Sequence, residues 1–533
     1  MITLSPIKTI TTIVIIGITT KYIYQFITSK EDKENEKYRA FYSIPSPPHC
    51  IPFFGHLPFL GPSFALKLHY WHRKYGPLLR IKMGTQSWLT VIDPGMADEL
   101  LEKSRDIVMS RPYHRFIDEH YSGNQRGIVY ASREDSKYLN ARATVLKYIS
   151  SEAIVDPLIE YEVDEFIQRI INKTETESSV NPFWELKLMC INTFMTVAFA
   201  KSLDSIDDFL FTDGEAILNE NFPLIGITGD PSSFIPFLKW FPFVSKSKTY
   251  LDQVIQHRNS FFHQMIDYGL DETTAHCLVK EIYAVKHLYG FDDQDILVTL
   301  SDMNGMASDL PPTAFAWCLA ILTHHLDVQE KIRQEVVQYL REHDDQFPRI
   351  NDIHLFPYTQ SVLKECLRYR CSNNFSVPRK FDQDVTVNGI VIPKGTVIAL
   401  PMYALHLNKH TYQNADTFDP ERFINNTSTI SETSTHHYND RDIYLFGFGP
   451  RRCPGIQMVE RQMFYLLVRL FYHCRIECDV DKNGNPIEID LNKTNDIGVM
   501  LRPGSFHIRA IERLPPTPMN IDSDFDLDDD DDE

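Results

Sequence analysis

Positive charge is in short supply in this chain. Lys and Arg number 53 against 72 Asp and Glu, a formal net charge of −19, and that balance excludes the broad basic face of a general nucleic-acid binder. About half of the excess is local, because Asp522, Asp524, Asp526, Asp528, Asp529, Asp530, Asp531, Asp532 and Glu533 crowd the C-terminal end. Cysteine is sparse as well. Nine are scattered through 533 residues, too dispersed for a disulfide-stapled secreted scaffold, and the odd number suits a reducing compartment. Cys474 and Cys478 form a close pair, but with no partner pair nearby they read as ordinary thiols rather than half of a metal site. A Walker loop, an HExxH helix and a convincing dinucleotide loop are all missing, so nucleotide phosphates and hydrolytic zinc lack a binding motif. What is present suffices for a large core: 43% of residues are hydrophobic and 23% charged, which excludes wholesale disorder.

Long apolar runs are scarce, with one exception. TITTIVIIGITT at 9–20 is flanked by Lys8 and Lys21, and apolar character extends from Leu4 to Ile27. Counted that way it reaches the ~20 residues that a bilayer-spanning helix needs. The lysines can snorkel, the tyrosines suit an interface, and no small-residue cleavage pattern follows. Residues 1–28 therefore read as a retained N-terminal membrane anchor. SKEDKENEKYR and then IPSPP make 29–52 a charged, proline-stiffened hinge. No linker interrupts 53–509, and 510–533 reads as an acidic disordered tail.

The periodicity within 53–509 is mixed and helix-rich. Apolar residues at helical spacing mark 66–75, 137–148, 158–173, 183–199, 247–265, 295–326 and 327–342. Strand-like runs flank Gly84 in PLLRIKMGTQSWLTVIDP and recur at 385–388, 396–400 and 497–501. The expected fold is mainly α with small β-sheets, built around one long central helix.

The sharpest chemical signal is FGFGPRRCPG, residues 446–455, followed by a helical pattern from Ile456. Glycines allow the backbone to approach a flat ligand, and Cys453 is presented just before a helix whose N-terminus favours a thiolate. A lone anionic sulfur suits the axial position of haem iron, with Phe446 beside the sulfur and Arg451 available to a propionate.

This decapeptide closely resembles the haem-ligand loop of cytochromes P450, with Phe446, Gly449, Arg451, Cys453 and Gly455 at the family's spacing. Three further segments agree in order. KECLR at 364–368 resembles the ExxR helix, giving Glu365 and Arg368 on one helical face. TFDPERF at 417–423 resembles the PERF segment, so that Arg422 completes a Glu365–Arg368–Arg422 network. FSVPRKFDQDVTVNGIVIPKGTVI at 375–398 places Arg379 where the family has a propionate-contacting arginine. The helix motif WRxxR is matched in part by YLNAR at 138–142: Tyr138 replaces the tryptophan and Arg142 is kept. His406 corresponds to a histidine near the haem edge.

The resemblance implies a cytochrome P450-like fold with a haem-thiolate loop, haem b held by Cys453, and a membrane-anchored monooxygenase of the endoplasmic reticulum facing the cytosol. It implies electrons from NADPH through a cytochrome P450 reductase, with cytochrome b5 as a further candidate donor, and with Arg451, Arg452 and Arg461 offering basic groups to the donor. A lipophilic small molecule is the implied substrate, and no nucleic acid is involved. Segments 112–130, 219–243, 302–313, 373–377 and 495–500 should line its cavity, with Asn373, Asn374, Ser376 and Asn495 available as hydrogen-bonding groups.

The central helix departs from the family. Anchored on Trp317, SDMNGMASDLPPTAFAW puts Ala307 at the small position, Asp309 at the acid and Leu310 where a catalytic threonine is usual. Pro311 and Pro312 free the carbonyls of Ala307 and Ser308. A water-holding groove of Ala307, Ser308, Asp309 and Thr313 is the expected substitute for the missing hydroxyl. The competing expectations are an isomerase or dehydratase that rearranges a peroxide without a reductase, and a non-catalytic haem or ligand-binding protein.

Overall fold

A computed structural model describes residues 36–513 apart from 105, 109, 132–135, 227–228 and 242–245. The expected anchor and tail end, residues 1–28 and 514–533, lie outside the described residues. Among the described residues, no helix is long and apolar enough to cross a membrane. That finding corrects the expected membrane-spanning topology and the endoplasmic reticulum localisation built on it.

Helix α1 (Phe64–Tyr75) starts where Ser63 accepts a hydrogen bond from the Leu66 amide and stops at Gly76, whose φ of 112° ends the turn. Strands β1 (Leu78–Met83) and β2 (Gln86–Val91) pair antiparallel around Gly84. A helical body follows: α2 (Ser136–Ile149), α3 (Glu152–Glu177), α4 (Pro182–Phe199), α5 (Phe209–Ile225) and α6 (Lys248–Leu270). The central helix is delivered as two consecutive segments, α7 (Asp293–Ala307) and α8 (Leu310–Leu322). Then come α9 (Leu326–Glu342) and α10 (Pro357–Tyr369). Short strands β3 (Arg379–Lys380), β4 (Val385–Val387), β5 (Ile390–Ile392) and β6 (Val397–Ala399) precede α11 (Ile456–His473), and β7 (Cys474–Cys478), β8 (Thr494–Asp496), β9 (Leu501–Pro503) and β10 (Ile508–Glu512) end the fold.

The four-stranded sheet runs β1-β2-β6-β3. Its parallel β2–β6 pairing aligns Leu89 with Ile398, and antiparallel β3 sets Arg379 opposite the same Ile398. Backbone pairing, not a helix, therefore fixes where Arg379 stands. The stretch expected as a strand at 497–501 is mostly a turn between β8 and β9, because Gly498 takes φ 93° and reverses the chain. The main core joins α3, α8, α9, α10 and α11. Helix α11 is buried on every side from Glu460 to Phe471, as expected of an element that carries a functional loop into the interior.

The division between α7 and α8 has a chemical cause. Pro311 and Pro312 sit in the first turn of α8, where missing N–H groups cost little. The carbonyls of Ala307 and Ser308 consequently lose their usual helical donors, and Asp309 adopts φ −134°, ψ −38°, outside helical values. The central rod keeps its course but is interrupted at Ser308–Asp309.

Candidate active site

The loop before α11 is tightly specified. Gly449 has φ 67°, and a Cβ there would come within 2.3 Å of the Leu101 carbonyl oxygen, so only glycine fits. The Gly449 amide donates to Glu102 at 2.6 Å. The Cys453 amide donates to the Phe446 carbonyl at 3.0 Å, folding the loop over its own cysteine. Gly455, with φ −87°, is the residue from which α11 departs. Burial pushes the Cys453 thiol up, against the pull of the Gly455 amide and the charge of Arg142. A cation bound to the sulfur would stabilise the thiolate form.

Behind the loop lies the expected network. Glu365 and Arg368, both fully buried, form a bidentate pair at 2.7 Å on each arm. Arg422 reaches the same carboxylate at 3.0 Å. Arg368 also donates to the carbonyls of His406, Ala415 and Thr417, at 2.9, 2.9 and 3.0 Å. His406 passes the constraint on. Its Nε2 accepts from the Tyr444 amide at 3.0 Å while its Nδ1 faces the Met402 carbonyl, and burial lowers its pKa to about 3. It is a neutral strut between the network and the start of the cysteine loop, and it does not border the cavity described below.

Beside Cys453 the fold collects buried and half-buried arginines. Arg379 donates to the Phe448 carbonyl at 2.5 Å, and Arg142 to that of Arg452 at 2.7 Å. Arg111 holds the carbonyls of Val129, Val377 and Pro378. Arg451 lies 4.1 Å from the centre of the Tyr138 ring and donates to the Ala131 carbonyl. Burial, and secondarily the charge of Arg451, brings Arg379 down to about 9. Arg379 Nη1 and the Tyr138 hydroxyl are buried without a hydrogen-bond partner among the described residues. Like charges and orphaned donors gathered beside a cysteine fit an anionic ligand edge. Arg461, by contrast, is buried against Asp156 at 3.6 Å and Glu152 at 3.8 Å, so Arg451 and Arg461 do not form the exposed basic patch expected for an electron donor.

These groups open into a largely apolar cavity of about 360 Å³. It is bordered by Cys453, Phe446, Gly455, Arg451, Arg379, Arg142, Tyr138 and Ala307, and all five segments expected to line it contribute. Gly449 does not border it and acts through loop shape. Asn373 and Ser376 are on the wall. Asn374 is turned to Asp496 and Gly498 instead, and Asn495 lies off the wall.

A cytochrome P450 family model matches residues 45–508. The chain belongs to the cytochrome P450 family. It is 22% identical to cytochrome P450 1A1 of Sparus aurata, over 87% of this chain and 90% of that one. It is 24% identical to the cytochrome P450 monooxygenase yanC of Aspergillus niger, covering 89% and 90%. It is also 23% identical to 3-hydroxyphenylacetate 6-hydroxylase of Emericella nidulans, covering 90% and 91%. A zebrafish cytochrome P450 solved with progesterone shares the fold, with a TM-score of 0.69 at 19% identity over 84% of this chain and 99% of that one. Membership carries haem binding and enzymatic activity of the monooxygenase class at the level of the family.

Seen as a P450, the chain departs from expectation at the helix break. The groove of Ala307, Ser308, Asp309 and Thr313 is not assembled, for only Ala307 of the four borders the cavity. Ser308 donates to Asn304 Oδ1 at 2.8 Å, and Thr313 donates to the Asp309 carbonyl at 2.8 Å. The Asp309 carboxylate is turned to Arg502 at 2.5 Å and to the fully buried Lys187 at 3.0 Å. Leu310 and Pro311 face the cavity where a hydroxyl was sought. Sequence reasoning missed Asp302, a buried acid on the cavity wall two turns earlier on α7. Anchoring on Trp317 directed attention to Asp309, although Asp302 stood within a segment already assigned to the wall.

Proposed function

We propose that this P450 is a haem-thiolate monooxygenase that inserts one atom of O2 into a lipophilic small molecule, with electrons supplied by an NADPH-dependent reductase. The observation that carries the reading is the convergence of a half-buried cysteine with an orphaned Arg379 donor and an orphaned Tyr138 hydroxyl on one apolar cavity. The residues fit haem b. Cys453 would hold the iron through its sulfur, and Arg379, Arg451, Arg142 and Tyr138 would hold the propionates, which would supply the negative charge this cluster lacks. When bound, the haem supplies oxygen activation and one-electron redox chemistry.

The chain's own contribution is positional. Gly449 and the Cys453–Phe446 hydrogen bond shape the ligand loop, and Glu365, Arg368, Arg422 and His406 keep it from relaxing. Ala307, a small residue, leaves room on the central helix for the flat cofactor. Met303, Met306, Leu310 and Ala314 exclude water and present apolar surface to the substrate. Asp309, Ser308 and Thr313 enter as residues that stabilise the helix break beside Ala307, since their polar atoms are already engaged. The reductase is assigned from the missing dinucleotide loop together with the family's chemistry.

Leu310 on the cavity wall favours a second reading, a P450-type isomerase or dehydratase that rearranges a hydroperoxide or endoperoxide and needs no proton delivery to oxygen. One experiment separates the two. Haem-loaded protein is incubated with reductase, NADPH, isotopically labelled O2 and a lipophilic metabolite extract. A product carrying one labelled atom, lost in Cys453→Ser, supports the monooxygenase. Unlabelled rearrangement of hydroperoxides without NADPH supports the isomerase and overturns the first reading.

A further inference from the structure

Helix α5 meets the cavity at its last turn, where Phe222 and Ile225 are on the wall, and α6 braces α5 from outside without reaching the wall itself. Pro223 lies in that turn and cannot donate to the Asn219 carbonyl, so the turn is short of a helical hydrogen bond. Apolar residues of α5 and α6 pack together. The hydrogen bonds that join the two helices among the described residues all belong to one side chain, His257 of α6. Its Nε2 lies 2.9 Å from Asp213 Oδ1 and its Nδ1 2.9 Å from Glu220 Oε2. The two acids stand seven positions apart on α5 and so share a face. Carboxylates only accept, so both ring nitrogens must donate and the ring is an imidazolium. Among the described residues no other charged group forms a hydrogen bond or ion pair with the ring. Glu215 of α5 is turned to Lys187 of α4, Asp252 of α6 to His120, and Arg258 of α6 to the Tyr121 carbonyl.

We infer that His257 is a proton-operated clasp, which holds α5 against α6 while the ring is charged and frees the last turn of α5, quickening passage to and from the cavity, when the ring loses a proton. The consequence for passage rests on the reading of the cavity as the substrate site. A neutral imidazole keeps one N–H and turns a lone pair toward the other carboxylate, so one of the two links becomes a repulsion. Partial burial pulls the His257 pKa down, but the hydrogen bonds and charges of Asp213 and Glu220 outweigh it, and the value stands above the ordinary one of about 6.5. The sign follows from that direction. The clasp is complete below the ordinary histidine value and is lost as pH rises through the higher value of the folded protein.

The test is hydrogen–deuterium exchange of α5 and release of Nile red, a neutral lipophilic dye, from haem-loaded protein at about pH 6 and about pH 9, on either side of the titration. The wild type is compared with His257→Gln, which carries no charge, and with His257→Arg, which stays charged throughout. Asp302, Glu162 and Glu460 also titrate near this range. Comparing proteins at one pH cancels their effect and the intrinsic effect of pH on exchange. At the lower pH the wild type should protect α5 about fivefold more than His257→Gln, and should release the dye more slowly by a similar factor. At the higher pH these two should coincide, while His257→Arg stays protected at both. Haem content and circular dichroism verify that both variants fold. Equal exchange in the wild type and His257→Gln at the lower pH, or a difference undiminished at the higher one, overturns the clasp. Dye release that ignores His257 while exchange follows it overturns the control of passage. A dye whose fluorescence the haem does not quench has not entered the cavity; that outcome refutes the reading of the cavity, and exchange still decides the clasp.

Discussion

At the scale of single residues, the consequences follow from what each side chain has been denied or given. Glu365 is fully buried between Arg368 and Arg422 and also accepts from the Asp419 amide at 2.9 Å. Glu365→Ala leaves the fully buried Arg368 guanidinium and the half-buried Arg422 guanidinium facing each other, and the expected loss is about 3–5 kcal/mol. Denaturant titration of the haem-loaded protein measures it, and a loss below about 1 kcal/mol would show that the network is not structural. Gly449→Ala must place a side chain at φ 67° against the Leu101 carbonyl. A left-handed non-glycine residue alone costs about 1–3 kcal/mol, so poor accumulation of folded, haem-containing protein is expected in an expression comparison.

Between elements, the most consequential contact is the charge cluster at the α7–α8 break. Lys187 on α4 is fully buried and pairs with both Asp309 and Glu215 of α5, while Arg502 of β9 closes on Asp309. Four elements are tied at one point. Lys187→Met should cost about 3 kcal/mol by leaving Glu215 and part of Asp309 without a partner. It should also speed amide exchange in α5, whose Phe222 and Ile225 border the cavity. Unchanged exchange in α5 would mean that apolar packing alone holds that helix. This cluster also shows what could be read in advance and what could not. Two adjacent prolines told of freed carbonyls at Ala307 and Ser308, and the break is there. They did not tell which way Asp309 would turn, because its partners lie 122 and 193 residues away along the chain.

For the whole molecule, the gathering of Arg111, Arg142, Arg379 and Arg451 beside Cys453 implies coupling between haem and stability. Any ligand that binds only the folded state stabilises it by mass action, and here the anionic edge of that ligand also relieves like-charge crowding. Haem-free protein should unfold several degrees below the loaded form in a calorimetric scan, and the gap should narrow in Arg379→Gln; coincident transitions would dissociate the arginine cluster from haem. The sequence by itself determined the helix-rich class and the presence of most of the helices it marked, and through its resemblance to the family it pointed to the cysteine loop and the Glu365–Arg368–Arg422 set. These depend on short-range periodicity and on motifs whose spacing reports local geometry. The tertiary structure alone decided that Asp309 is withdrawn into an ion-pair cluster, that His406 is a strut, that Arg461 is buried, and that Asp302 lies on the cavity wall. Those outcomes depend on which distant groups arrive at the same place, and burial and charge are settled only by that arrival.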